Sequence, residues 1–109
     1  MEKLNYTEAV ERILNNFSDM VVREGTEVKI ICDRESGNYL VIFAGWNDQL
    51  RVYGVSVHIE IKNNKIWIQQ DRTDTGIAQE LVEFGVPKTD IVLAFKSDFM
   101  RKLTEYAVS

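Results

Sequence analysis

The sequence predicts an α+β domain in which an antiparallel four-stranded β-meander packs, in two layers, with an N-terminal helix and C-terminal helices. Three observations lead there. Apolar residues recur with a helical period up to Phe17, with a period of two between Thr26 and Gln70, and with a helical period again after Asp71. Two of the β patterns are separated only by Asn63-Asn64, a spacing that closes a tight hairpin. Finally, 109 residues with 45% hydrophobic side chains, one proline and no linker-like stretch have room for one core, so residues 1–109 read as a single domain.

The first element rests on Tyr6, Val10, Ile13, Leu14 and Phe17, which fall on one face of a 3.6-residue period. Asn5 and Glu8 form a capping-box start with Asn in place of Ser or Thr, and Arg23-Glu24-Gly25 breaks the chain before the next element. From Thr26, Val28, Ile30 and Cys32 alternate with Glu27, Lys29 and Asp33, which gives a strand with one dry and one wet side. After a turn at Ser36-Gly37-Asn38, Tyr39 to Trp46 is apolar on both faces, as expected of a strand covered on both sides or shielded by a partner.

Asn47-Asp48 turns the chain into the longest strand, Arg51 to Lys62. Its alternation sets Tyr53, Val55, Val57, Ile59 and Ile61 against Gly54, Ser56, His58, Glu60 and Lys62. Asn63-Asn64 tolerates the positive φ of a two-residue turn, and Lys65 to Gln70 returns as the fourth strand. A second helix carries Ile77, Ala78, Leu81, Val82 and Phe84, with Asp74 or Thr75 as its cap and Gly85 at its left-handed end. Pro87 opens a helical turn through Asp90, and Ile91 to Phe95 reads as either a strand or a short buried helix. Ser97 can cap a last helix with Phe99, Leu103 and Tyr106 on one face, while Tyr106 to Val108 can equally end extended.

Composition narrows the function classes. Thirteen Lys and Arg against seventeen Asp and Glu give a net charge of −4, a field that repels polyanions, so no direct nucleic-acid binding is expected of the chain alone. The longest apolar run, Tyr39 to Ala44, is far short of the roughly 20 residues that cross a bilayer, and the first residues lack the basic-then-apolar pattern of a secretory signal. A cytoplasmic location without membrane contact is expected. A single Cys32 cannot form an internal disulfide, and its inward alternation predicts a buried, inert thiol.

Candidate chemistry is sparse. His58 with Asp71 and Asp74 could serve a hydrolase-like reaction as general base and carboxylates, yet Glu60, its neighbour two residues along, is about 7 Å away by strand rise, too far for a fixed pair. Asp71, Asp74 and Glu80 could hold a hard cation, but their spacing matches no metal-binding pattern, and Asp74 fits better as a helix cap. No catalytic, cofactor or metal residue is therefore assigned. Trp46, Tyr53 and Trp67 stand out as large aromatics near strand ends, where such side chains either close a core or anchor a partner. Together with Asp71 and Asp74 they are the candidate partner-binding residues, with the acidic net charge favouring a basic partner.

The series Arg51-Val-Tyr-Gly-Val-Ser-Val-His-Ile-Glu-Ile-Lys62, Lys65-Ile-Trp-Ile-Gln69, Asp71, Gly76-Ile-Ala78, Glu80-Leu81, Gly85-Val-Pro-Lys88 and Asp90-Ile-Val-Leu93 resembles the XisI-like family, the fdxN element excision controlling factors of cyanobacteria. The likeness runs from the N-terminal helix through Gly45-Trp46 to Ala107-Val108. The resemblance implies a small α+β protein needed, with an XisH-like partner, for regulated site-specific excision of a DNA element by a separate recombinase. A non-enzymatic accessory role is expected from it, and the aromatic-bearing face of an open meander predicts docking of either that partner or a second copy as a homodimer. The resemblance implies no catalytic residues. The family commonly has a histidine and prolines after the Ile-Val-Leu-x-Phe motif, where this chain has Lys96, Ser97 and Asp98.

Overall fold

The computed structural model describes residues 5–19, 24–74 and 76–109. The expected cap at Thr75, and Arg23 of the expected break, lie outside the described residues. Helix α1, Tyr6–Asn15, starts as the sequence predicts, with the Asn5 side chain accepting the Glu8 amide at 3.2 Å. Its apolar stripe is real: Ala9, Val10, Ile13 and Leu14 are buried, and a 3₁₀ turn, Asn16–Asp19, ends it.

Strands β1 (Thr26–Asp33), β2 (Asn38–Asn47), β3 (Leu50–Lys62) and β4 (Lys65–Asp71) follow as an antiparallel meander. Asn63 and Asn64, at φ of 55° and 62°, make the tight turn read from the sequence. The sheet has five strands, however, not four. After helix α2, Ile77–Phe84, and a 3₁₀ turn at Lys88–Asp90, Ile91–Leu93 forms β5, which pairs with β4 in parallel through Ile66↔Ile91 and Ile68↔Leu93. Three buried apolar residues cannot by themselves tell strand from helix, so this segment stayed ambiguous in the sequence; the crossover through α2 makes it a strand.

One face of the sheet carries the core. Tyr39, Val41, Val57, Ile59, Ile66 and Ile68 pack there under α1 and α2, with Leu14, Ile77 and Leu81 reaching down from the helices. Two β-bulges correct the alternation read from the sequence. Pairing jumps from Val41↔Val57 to Ile42↔Val55, so Ser56 is an extra residue in β3, and a second jump between His58 and Ile59 leaves Gln69 extra in β4. Tyr53 and Val55 therefore leave the face of Val57 and Ile59 and lie beside Ile42 and Ala44 on the other one.

Helix α2 is not capped by Asp74. Gly76 occupies the N-cap position without a side-chain bond, and the Asp71 carboxylate accepts the Ile77 amide at 2.7 Å and the Thr73 amide at 2.8 Å. A residue at the end of β4 thus supplies the negative charge that the helix N-terminus favours. Cys32 is exposed rather than buried, because it lies near the end of an edge strand that has no neighbour on its outer side among the described residues. Partial desolvation of its sulfur, and secondarily the Glu11 carboxylate, push its thiol pKa up, which lowers the thiolate fraction at neutral pH.

The last helix, α3, covers only Asp98–Arg101, with Ser97 capping the Met100 amide. Phe99 and Leu103 are 71% and 68% exposed, not the buried stripe that their spacing suggests. The tail ends extended, as the alternative reading had it: Ala107 bridges Val92 and donates its amide to the Ile91 carbonyl at 2.9 Å.

Candidate functional site

The two bulges decide which side chains share the uncovered face. On β2 the open-face positions are Leu40, Ile42, Ala44 and Trp46, and beyond the bulge β3 contributes Tyr53 and Arg51 opposite them. Trp46 and Tyr53 are 54% and 66% exposed, and the Arg51 guanidinium lies between them, 5.2 Å from the Trp46 ring centre and 5.4 Å from that of Tyr53. Arg51 is fixed further by donating to the Gly45 carbonyl at 3.2 Å. A cation held over two exposed aromatic rings makes a rigid amphipathic corner. The corner is seated by a close backbone approach: a Cβ on Gly45 would stand 2.1 Å from the Gly25 carbonyl oxygen, while Trp46 donates its amide to that same oxygen.

The third aromatic differs. Trp67 is half-buried on β4, with the Lys62 ammonium 4.4 Å from its ring centre, a fully buried Val92 beside it, and no hydrogen-bond partner for its buried indole nitrogen. It shares the face with Trp46 and Tyr53 but does not present a ring to solvent as they do.

The carboxylates stand elsewhere. Asp71 pairs with Val57, on the helix side of the sheet, and both of its oxygens are occupied by Thr73 and Ile77. Asp74 is exposed in the connection to α2. His58 faces the opposite side, where its Nε2 lies 2.9 Å from Asn38 Oδ1 across the strand pair. The structure therefore does not bring His58 together with Asp71 and Asp74. Among the described residues, no three His, Cys, Asp or Glu side chains stand close enough to hold a metal ion.

Charge on the open face is mixed: Glu27 and Glu60 alternate with Lys29, Arg51 and Lys62, and Lys62 lies 3.7 Å from Glu60. Acidic crowding is found instead on the helix side, where burial, then Asp71 and Glu83, push the Glu80 carboxyl above its ordinary range. The steering of a basic partner by net charge, expected from composition, thus has no local counterpart around Trp46 and Tyr53.

Two features escaped the sequence. Arg101, which nothing in the sequence sets apart from the other basic residues, is a clamp: its guanidinium donates to the carbonyls of Leu93, Ala94, Lys96 and Val108 and to Asp98. Leu50 and Ile31 add exposed apolar surface to the sheet; the turn stands at Asp48-Gln49, one residue later than Asn47-Asp48, and Leu50 opens β3. No helix among the described residues is long and apolar enough to cross a membrane.

The fold and sequence have close counterparts. The XisI protein family matches residues 1–108. The crystal structure of an XisI-like protein from Anabaena variabilis ATCC 29413 superposes with a TM-score of 0.90 at 40% identity, covering 95% of this chain and 96% of that one. That of the fdxN element excision controlling factor XisI from the same organism superposes with a TM-score of 0.82 at 31% identity, again over 95% and 96% of the two chains. No curated protein is similar enough to match. A match over nearly the whole length, in sequence and in fold, makes this chain a member of the XisI family.

Proposed function

We propose that this protein is a non-enzymatic accessory factor in the control of site-specific DNA excision, and that it works by binding another protein, an XisH-like partner, through the open face of its sheet. The observation that carries the reading is the corner of Trp46, Arg51 and Tyr53, two large aromatics held half-exposed by a cation on a sheet face that the helices leave bare. Tryptophan, tyrosine and arginine are the residues that dominate binding energy at protein interfaces, and holding their rotamers in advance lowers the entropy lost on docking. The excision role is drawn from the fdxN element excision controlling factor that the chain resembles.

Support against a chemical role comes from the separation of His58 from the carboxylates and from its bond to Asn38. The role is therefore one of assembly. Mixing the purified protein with an XisH-like protein and measuring mass by light scattering tests it: a complex heavier than either component is expected, and two unchanged species would refute the reading. Titrated alone against a fluorescent duplex, the protein binds no tighter than non-specific levels, about 10⁻⁴ M at physiological salt. Sub-micromolar, sequence-selective binding would instead make it a DNA-binding protein.

A further inference from the structure

The two edges of the sheet are treated differently. Outside β5, the Ala107 amide pairs with the Ile91 carbonyl and closes that edge. Outside β1, no backbone group among the described residues pairs with the strand. Which of its groups are free follows from the ladder. Trp46 donates its amide to the Gly25 carbonyl, which makes Gly25 and Trp46 a hydrogen-bonded pair in the register that continues as Thr26↔Gly45. Counting by twos, Glu27, Lys29 and Ile31 turn their amides and carbonyls to β2, whereas Thr26, Val28, Ile30 and Cys32 turn theirs outward. The strand is eight residues long, unbroken by proline or bulge, and its open-face Ile31 is 44% exposed. Such an edge is a template for another strand.

We infer that the occupant is β1 of a second copy, paired antiparallel about Ile31. The side chains of β1 are complementary to themselves about that point. Folding the strand back on itself over Lys29 to Asp33 sets Ile31 against Ile31 of the second copy and Lys29 against its Asp33, twice, by symmetry. The Asp33 carboxylate already accepts from Ser36 and the Glu35 amide in its own turn, which fixes its place and leaves its charge to meet the ammonium. Ile30 and Cys32, both with outward backbone groups, become the hydrogen-bonded pairs. Among the described residues the Lys29 ammonium pairs with Glu27 alone, at 3.7 Å and with both side chains well exposed, a contact weak enough to exchange. The two-fold axis of such a pairing stands perpendicular to the sheet. It would place the helices of both copies on one side and both open faces, each with its Trp46 and Tyr53, on the other, giving a ten-stranded sheet that offers two equal docking corners. This pairing does not depend on the identity of the docked partner.

Light scattering at about 100 μM, where even a micromolar dimer is well populated, should give twice the chain mass of 12.6 kDa. Ile31→Lys, which sets two ammonium groups at the axis, should halve that mass. Lys29→Glu, which opposes two acids, should weaken association at least tenfold, with circular dichroism unchanged in both variants. In Ile31→Cys with Cys32→Ser, the facing positions of a non-hydrogen-bonded pair, about 4.5 Å apart at Cα, should oxidise to a covalent dimer. Trp46→Ala with Tyr53→Ala should leave the dimer intact, which separates edge pairing from stacking of two open faces. A monomeric wild type, a dimer indifferent to both Ile31→Lys and Lys29→Glu, or a dimer lost with Trp46 and Tyr53 would overturn the inference.

Discussion

The two faces of one sheet are built from the same strands and obey different rules. Beneath α1 and α2, Val41, Val57, Ile59, Ile66 and Ile68 are fully buried, and each is constrained by the close packing of its neighbours. On the other side Trp46 and Tyr53 stand out in water, held by Arg51 instead of by a core. The Ser56 bulge creates the difference within a single strand, since it moves Tyr53 and Val55 off the face of Ile59 without changing a residue. Substitutions on the covered face should therefore be read in stability, and those on the open face in binding.

The largest effect is expected in the core. Leu14→Ala or Ile59→Ala removes a fully buried side chain and should cost about 2–5 kcal/mol in a denaturant melt; a loss below about 1 kcal/mol would mean that the covered face is not the core described. Next comes the clamp that holds the C-terminal segment to the sheet edge. Arg101→Ala removes a part-buried guanidinium with its carbonyl bonds and should cost about 2 kcal/mol, with faster hydrogen exchange at the Ala107 amide and no change at Ile59. Equal acceleration at both sites would show that the tail and the core open together.

Asp71→Asn places an amide where two carboxylate oxygens receive donors and should destabilise by about 1–2 kcal/mol, seen as lost helicity of α2. The smallest effect belongs to Tyr6, whose hydroxyl donates to Asp90 and is pushed up to about 12 by burial first and then by that bond and the Asp90 charge. Because the folded pKa lies above the ordinary 10, the folded state holds the proton more tightly; the stabilisation is fully present below pH 10 and fades as the pH rises to 12. Tyr6→Phe should thus be about 1 kcal/mol less stable at neutral pH, and the gap should narrow above pH 10. A gap that widens there would reverse the sign of the coupling.

Much of the architecture was legible because it is local. Asn5, Asn63-Asn64 and the Val10–Leu14 stripe each specify their own geometry within a few residues. What stayed hidden depends on distant partners. A bulge at Ser56 leaves no mark in an alternating pattern, and it carried Tyr53 to the other face. The strand Ile91–Leu93 exists only beside β4, and the cap of α2 comes from Asp71 because the strand end delivers it there, where Asp74 was nearer in sequence. As for the candidate site, Trp46 and Tyr53 were legible as aromatics near strand ends. Arg51, which orients both, was one basic residue among thirteen until the strands aligned it.

The division between a face for stability and a face for binding is tested most directly by one double variant, Trp46→Ala with Tyr53→Ala, titrated with an XisH-like protein while its melting temperature is followed in the same preparation. The loss of two interface anchors should weaken the complex by about 30-fold or more, with the melt shifted by no more than the few tenths of a kcal/mol typical of surface positions. Unchanged affinity, or affinity lost only in step with the fold, would contradict it.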